Sequence, residues 1–255
     1  ELDNNLEIDW VQANSIVTEV DENGTCEKDI MKYEDDYWYK IIDPDGKKRN
    51  RLEERDQFLE DIDYIIKFLN TLNTRRILDI GCGLGWLLSA LNDCWKKYGV
   101  EFSQFASNYA NKYYEVFNGL FIDYNCEDNF FDVVILHHVI EHMEDPFLNL
   151  LKIKRILKKN GYFIIGTPDF DSGCARRFGK NYRLLNDITH ISLFSNDSMH
   201  RFLREHGFKI IKVEYPFFKT RFFTKGNLLR LFNMEKISPP FYGNFMTFFT
   251  INQKD

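Results

Sequence analysis

Three glycines at alternate positions follow directly on an acid in the run Asp79-Ile80-Gly81-Cys82-Gly83-Leu84-Gly85. The apolar residues 77–80 predict a buried strand, and side chains at 81, 83 and 85 would obstruct anything lying close to the turn that follows. Residues 86–97 carry Leu87, Leu88, Leu91 and Trp95 at helical spacing, and the free N–H groups at the start of that helix would face the enclosed ligand. A dinucleotide-binding turn needs a further glycine at position 86, where the chain has Trp86. The carboxylate of Asp79 also opposes a phosphate and favours a ligand carrying an ammonium or sulfonium group. Glu101 ends a short strand about twenty residues past the turn, where a doubly wound sheet places an acid against two ribose hydroxyls. Phe102 is then free to pack on a purine face. A third strand predicted over 120–123 brings Asp123 or Tyr124 beside the base.

Proton-handling side chains gather further along. The dense apolar run 131–136 predicts a strand buried on both faces, and it leads into His137-His138-Val139-Ile140-Glu141-His142. Asp145 and Pro146 form an N-cap and first-turn pair. They open a helix predicted to reach Lys159 and to bury Phe147, Leu150, Leu151, Ile153, Ile156 and Leu157, with Gly161 after its basic end. A strand over 162–166 ends in Thr167-Pro168-Asp169. Strand and helix alternate throughout, the pattern of a doubly wound parallel sheet.

The acid followed by G-x-G-x-G resembles motif I of the class I S-adenosylmethionine (SAM) dependent methyltransferases. From about residue 75 to 215 the chain is similar to their UbiE/Coq3-like branch (methyltransferase domain 23 type), often associated with polysaccharide and sugar-nucleotide clusters. The segments that carry this are Phe131-Asp132-Val133-Val134, His138-Val139-Ile140-Glu141-His142 with Asp145-Pro146, Thr167-Pro168-Asp169-Phe170-Asp171-Ser172, Ala175-Arg176-Arg177-Phe178-Gly179 and Thr189-His190-Ile191-Ser192-Leu193-Phe194-Ser195. The resemblance implies a Rossmann-like seven-stranded sheet, mostly parallel with an antiparallel edge strand. It implies SAM as cofactor, held by Asp79, Gly81, Gly83, Gly85, Glu101, Phe102, Asp123 and His137, with S-adenosylhomocysteine as product.

The implied reaction is methyl transfer to a hydroxyl of a sugar, sugar nucleotide or related polar or anionic metabolite of surface-glycan (capsule or lipopolysaccharide type) synthesis. A hydroxyl acceptor needs a base. His190, after the acceptor-side loop, is the first choice and His138, at the end of the fourth strand, the second; His142 is expected to serve structure. Asp169, Asp171 and Arg177 are placed on the acceptor side; Asp169 and Asp171 could instead hold Mg²⁺ with Glu141, but no compact oxygen-ligand motif supports this and no metal is expected. The family often has Asn where this chain has Asp169, and a proline-rich segment where it reads Leu184-Leu185-Asn186-Asp187-Ile188. The alternatives are N- or C-methylation of another small molecule, including a quinone-like lipid, and a non-catalytic SAM-binding subunit. A NAD-dependent oxidoreductase is disfavoured by Trp86 and Asp79.

The elements around this site are bounded by composition. The chain has 255 residues, 44% of them hydrophobic, enough for one α/β domain with additions. No run is long and apolar enough for a membrane span, and no signal peptide is visible. Five cysteines without a C-x-x-C pair fit reduced thiols and a cytoplasmic location. A net charge of −6 weighs against nucleic acid as acceptor. Residues 1–50 read as an acidic, aromatic arm, with Tyr37, Trp38 and Tyr39 either folding over the cofactor pocket or simply packing the arm, and a turn at 43–46. Residues 51–255 read as the methyltransferase domain. Within it, 51–72 is a helix before the first strand, from which Arg51 or Arg55 could reach the cofactor carboxylate, although a solvated helix face is the better reading. Ser195 caps a helix ending at His206, and strands are predicted over 209–215 and 245–251. The insertion 216–244, basic and aromatic, reads as an acceptor lid, a homodimer contact or a membrane-surface helix.

Overall fold

The computed structural model describes residues 38, 41–42, 48–73, 76–215, 223–240 and 245–254. Tyr37, Tyr39, the turn at 43–46 and residues 216–222 and 241–244 of the insertion therefore lie outside the described residues. Seven strands form the main sheet: β1 Arg76–Ile80, β2 Lys96–Glu101, β3 Glu115–Asn118, β4 Phe131–His137, β5 Leu157–Pro168, β6 Phe208–Glu214 and β7 Phe245–Asn252. Their spatial order is β3-β2-β1-β4-β5-β7-β6. The first five pair in parallel. β7 runs antiparallel to both β5 and β6, so the antiparallel pairings sit at the β6 edge.

Alternation along the strands covers both faces. Leu78, Val134, Leu136, Phe163, Ile165 and Phe248 face one core, shared with α5 (Pro146–Ile156) and α7 (Asn196–Glu205). Ile77, Val133, Ile135, Ile164 and Phe249 face the other, under α2 (Asp63–Leu69) and α3 (Trp86–Ser89). The central strands β1 and β4 are apolar on both sides because both sides are covered. The chain order reverses between β1 and β4, and the carboxyl ends of the strands at such a switch point are where open sheets bind ligands. α1 (Arg55–Asp61), α4 (Gln104–Ala110), α6 (Gly173–Phe178) and α8 (Lys225–Arg230) complete the helices used below.

Several predicted boundaries move. The helix after the glycine turn stops at Ser89, because Ala90 and Leu91 close on Leu87 and Leu88 in tight i→i+3 bonds and Lys96 already pairs with Arg76 in the sheet. Leu91 and Trp95 are buried all the same. The third strand is residues 115–118, and Phe121–Asp123 is a 3₁₀ turn. Gly119, at φ +148°, bends the chain away and donates its N–H to the Glu101 carbonyl at 3.0 Å. α5 ends at Ile156 rather than Lys159, since Leu157 pairs with Phe131 in β5. Its buried stripe is Leu150, Ile153 and Ile156, while Phe147 and Leu151 are exposed. The helix expected over 51–72 breaks at Ile62 into α1 and α2. α7 is as expected, with a capping box between Ser195 and Ser198 and Gly207 beyond its C-cap at φ +78°.

Candidate active site

The turn after β1 holds Gly81, Gly83 and Gly85 at φ +72°, +54° and +74°, the left-handed region that only glycine visits freely. Neighbours also crowd a side chain: a Cβ on Gly81 would lie 2.4 Å from Val139 Cγ2 and one on Gly85 2.8 Å from the Tyr114 ring, while one on Gly83 would sit tightly, 3.3 Å from the Trp38 ring. Thus protein groups, as well as a ligand, require the glycines. Glu101 at the end of β2 ties the turn down: its Oε2 accepts from the Gly83 N–H at 2.7 Å and its Oε1 from the Ser103 N–H at 2.8 Å. Ser103 caps α4, and its hydroxyl accepts from Trp38 Nε1 at 3.0 Å. Trp38 therefore bridges the glycine turn and the Glu101 strand end. The sequence offers it as one of three aromatics, with nothing to mark it out from Tyr37 and Tyr39.

Two buried carboxyls, Asp79 and Glu101, stand within electrostatic reach of each other beside this turn. Burial, and then the charge of Glu101, push the Asp79 carboxyl up to about 8. Burial also raises Glu101, against the opposing effect of the backbone N–H groups of Ser103, Gly83 and Phe102. Such a pair is poorly matched to a phosphate. It suits a cationic ligand with a hydroxyl-bearing sugar, and Glu101 keeps lone pairs for further donors. Phe102 is 41% exposed and Asp123 is exposed beyond it. Arg55 is bound to Ser89 Oγ at 2.8 Å, and Arg51 stands 6.0 Å over the Trp38 ring.

The second half of the site is built at the ends of β4 and β5. His137 packs against Gly166, where a Cβ would come within 2.4 Å of its ring. Burial, and then the adjacent His138, hold its imidazole well below the usual histidine value. His138 sits at φ +58°, an uncommon conformation for a non-glycine residue. Its N–H bonds the Gly166 carbonyl at 2.8 Å, its Nδ1 lies 3.4 Å from Glu141 Oε1 and its ring meets Phe245 edge-on. Glu141 is only 1% exposed and accepts from the Thr167 hydroxyl at 3.0 Å. Burial raises its carboxyl, but the His138 hydrogen bond and the charges of His138 and His142 outweigh this and leave it below the ordinary value.

His142 and His190 meet on the other side of Glu141, with ring centroids 4.9 Å apart. Each presents Nδ1 to a backbone carbonyl, His142 to Thr189 at 3.0 Å and His190 to Leu184 at 2.6 Å. The buried Glu141, flanked by three histidines, is the organising group; the sequence offers it only as a possible Mg²⁺ ligand beside Asp169 and Asp171. The pairing of Thr167 with position 141 across two strand ends carries no local signal.

Asp169 follows β5 into a cleft of about 380 Å³ lined by Asp169, Asp171, Ser172, Gly173, Arg176, Asn196 and Asp197. Burial raises Asp169, opposed by the N–H groups of Asp171 and Asn196. Arg176 is paired with Asp171. Arg177 instead donates Nε to the Leu231 carbonyl at 3.1 Å, outside this cleft. A larger cleft of about 600 Å³, lined by residues such as Lys97, Tyr113 and Glu115, lies at the amino ends of β2 and β3.

This strand order, with a glycine turn and an acid at the next strand end, defines a class I SAM-dependent methyltransferase. The chain belongs to the methyltransferase domain family, which matches residues 50–213. It is 34% identical over 110 residues to a ubiquinone biosynthesis O-methyltransferase of Bradyrhizobium diazoefficiens, covering 40% of this chain and 43% of that protein. It is 30% identical over 145 residues to an uncharacterised protein of Methanocaldococcus jannaschii, covering 56% of this chain and 69% of that one. The chain spans about half the length of most other curated relatives it matches. Among solved structures, a SAM-dependent methyltransferase of Thermotoga maritima superposes with a TM-score of 0.56 at 25% identity, over 80% of this chain and 96% of that one. One from Archaeoglobus fulgidus gives 0.59 at 19%, over 78% and 94%. The protein is thus an enzyme that uses SAM. Among the described residues no helix is long and apolar enough to cross a membrane.

Proposed function

We propose that the enzyme methylates a hydroxyl of a sugar, sugar nucleotide or related polar metabolite of surface-glycan synthesis, with His138 as the proton acceptor. The observation that carries this is the carboxylate-rich cleft at the end of β5. Asp169 and Asp197 can accept from the hydroxyls of the acceptor's sugar ring, beside the Arg176–Asp171 pair. When bound, SAM supplies an activated methyl group on a sulfonium. Asp79, Glu101 and residues 81–85 fit its positive charge and ribose, and Phe102 and Asp123 stand where the adenine side of such a site is expected. Aligning the acceptor is worth about 7–11 kcal/mol.

The acceptor proton is assigned to His138. Its Nδ1 faces Glu141, which orients the ring and leaves Nε2 to take the proton, a step worth about 10²–10⁴ in rate. Its backbone strain, of the order of 1 kcal/mol, is the mark of a residue held for use. His190, whose ring packs on Phe170 beside Asp169, is the second candidate for the base.

Labelled-methyl transfer from SAM to a panel of nucleotide sugars tests the acceptor class. His138→Ala should lower kcat at least about a hundredfold with S-adenosylhomocysteine affinity unchanged; a preserved kcat would remove His138 as base. A quinone-like lipid is the second acceptor reading. Phe223, Leu229, Phe232 and Met234 are exposed on the segment 223–240, which is fastened to the acceptor side through Arg177–Leu231 and Asn181–Met234 hydrogen bonds. The same face is where a lid or a homodimer contact would form. Turnover of a short-chain catechol but of no sugar in the panel would favour the lipid.

A further inference from the structure

We infer that Thr167 is a positioning residue for the proton acceptor, acting on His138 through the Glu141 carboxylate, an inference that rests on the reading of His138 as base. Thr167 stands at the end of β5 with none of its surface exposed, and its hydroxyl donates to Glu141 Oε2 at 3.0 Å. The other oxygen, Oε1, lies 3.4 Å from His138 Nδ1. One carboxylate thus joins a buried hydroxyl to the ring of the base. A β-branched side chain has few χ1 choices, and Thr167 is paired in the sheet with Met246 of β7. The direction of its hydroxyl is therefore set by the strand.

Glu141 is held from the other side as well. Its carbonyl accepts from the N–H groups of Ile191 and Ser192 at 2.8 and 3.0 Å, and Ser192 Oγ donates to the Met143 carbonyl at 2.7 Å. The loop before α7 therefore fixes the main chain of Glu141, and Thr167 fixes its carboxylate. His138 is anchored beside them: its N–H bonds the carbonyl of Gly166, the residue before Thr167, at 2.8 Å, and its ring lies edge-on to Phe245 with centroids 4.7 Å apart. These contacts leave the ring hydrogen to be placed. An ionised carboxylate only accepts, so Nδ1 carries the hydrogen and the neutral ring keeps its lone pair on Nε2. Without the Thr167 hydroxyl, Oε2 is buried and loses that donor. The carboxyl lowers the cost by turning away from His138 or by taking a proton from solvent. Either change removes the acceptor for Nδ1–H. The ring hydrogen then moves to Nε2 and occupies the lone pair that takes the proton of the methyl acceptor.

The test is the ring tautomer, read by nitrogen NMR on the full chain labelled with ¹⁵N-histidine, the His138 signals being those lost in His138→Ala. Above the pH at which the ring becomes neutral, the wild-type hydrogen should sit on Nδ1. In Thr167→Val the population with the hydrogen on Nε2 should rise at least about tenfold, and Thr167→Ser, which restores the hydroxyl, should return the wild-type spectrum. Thr167→Ala serves in the same way where circular dichroism shows Thr167→Val unfolded. With the acceptor that the nucleotide-sugar panel identifies, Thr167→Val should lower kcat about tenfold with S-adenosylhomocysteine affinity unchanged, and should add no further loss to His138→Ala. A wild-type hydrogen on Nε2, or a tautomer balance unchanged when the hydroxyl is removed from the folded chain, overturns the inference. The spectra are recorded without acceptor or cofactor, so their outcome is separate from the assignment of the base, which the kcat of His138→Ala decides.

Discussion

Asp79 offers the sharpest test of the electrostatics. Its carboxyl is raised by burial, and then by Glu101, from 3.8 to about 8. A group raised on folding stabilises the protein fully below its unfolded value, and that contribution is lost as pH rises through the folded value. Stability should therefore fall between about pH 4 and 8. His137 and His142 are both depressed, chiefly by burial, so their contributions are present above 6.5 and lost below it. The window from about 6.5 to 8 thus lies above the histidine transitions, and comparison with a variant at Asp79 separates its titration from that of the raised Glu101. Across the window, a single group at 8 costs about 1.5 kcal/mol at up to about 1.4 kcal/mol per pH unit. Asp79→Asn keeps the shape and removes the titration. Urea unfolding of both proteins across this window should give a wild-type stability that falls by about that amount relative to the variant. Any constant offset from burying an amide does not affect the slope. Saturating SAM, whose positive charges favour the ionised carboxyl, should flatten the wild-type slope. Parallel pH profiles for the two proteins would refute a neutral, buried Asp79.

Three further substitutions probe the crevice and its frame. Gly81→Ala combines a φ of +72° with a Cβ 2.4 Å from Val139 and should cost about 2–4 kcal/mol in thermal or urea unfolding; a loss under 1 kcal/mol, about the conformational penalty alone, would mean the turn relaxes freely. Ser195→Ala breaks the capping box of α7 and should cost about 1 kcal/mol, checked by urea unfolding, and an unchanged midpoint would show the cap to be idle. Glu101→Gln turns an amide N–H₂ toward one of the two N–H donors it now satisfies. It should weaken S-adenosylhomocysteine binding by calorimetry at least about tenfold, and wild-type affinity would remove Glu101 from the cofactor contacts.

What the sequence reveals follows the range over which each signal acts. Local periodicity marks β1, β4 and α7, and the acid–glycine run marks the crevice, because those features are decided within a few residues. The misplaced third strand shows the limit: residues 120–123 look apolar enough for a strand, yet Gly119 and the Glu101 carbonyl decide that 115–118 pairs with β2. The over-long α5 fails similarly, since only pairing with Phe131 makes Leu157 extended. Within the site, Asp79 and Glu101 are legible by spacing. The arrangement around Glu141 is not, because its partners Thr167 and His190 come from two other segments. Arg177, which reads as an acceptor ligand, is held by Leu231 across 54 residues of sequence.

The crystal structure of the complex with S-adenosylhomocysteine is the most direct measurement. It should show the nucleoside in the crevice of β1, β2 and β4, its ribose hydroxyls within hydrogen-bond reach of Glu101 and its amino-acid end beside residues 81–85. Nucleoside density elsewhere on the molecule, with Trp38 and Val139 closing that crevice, would contradict the assignment of the site.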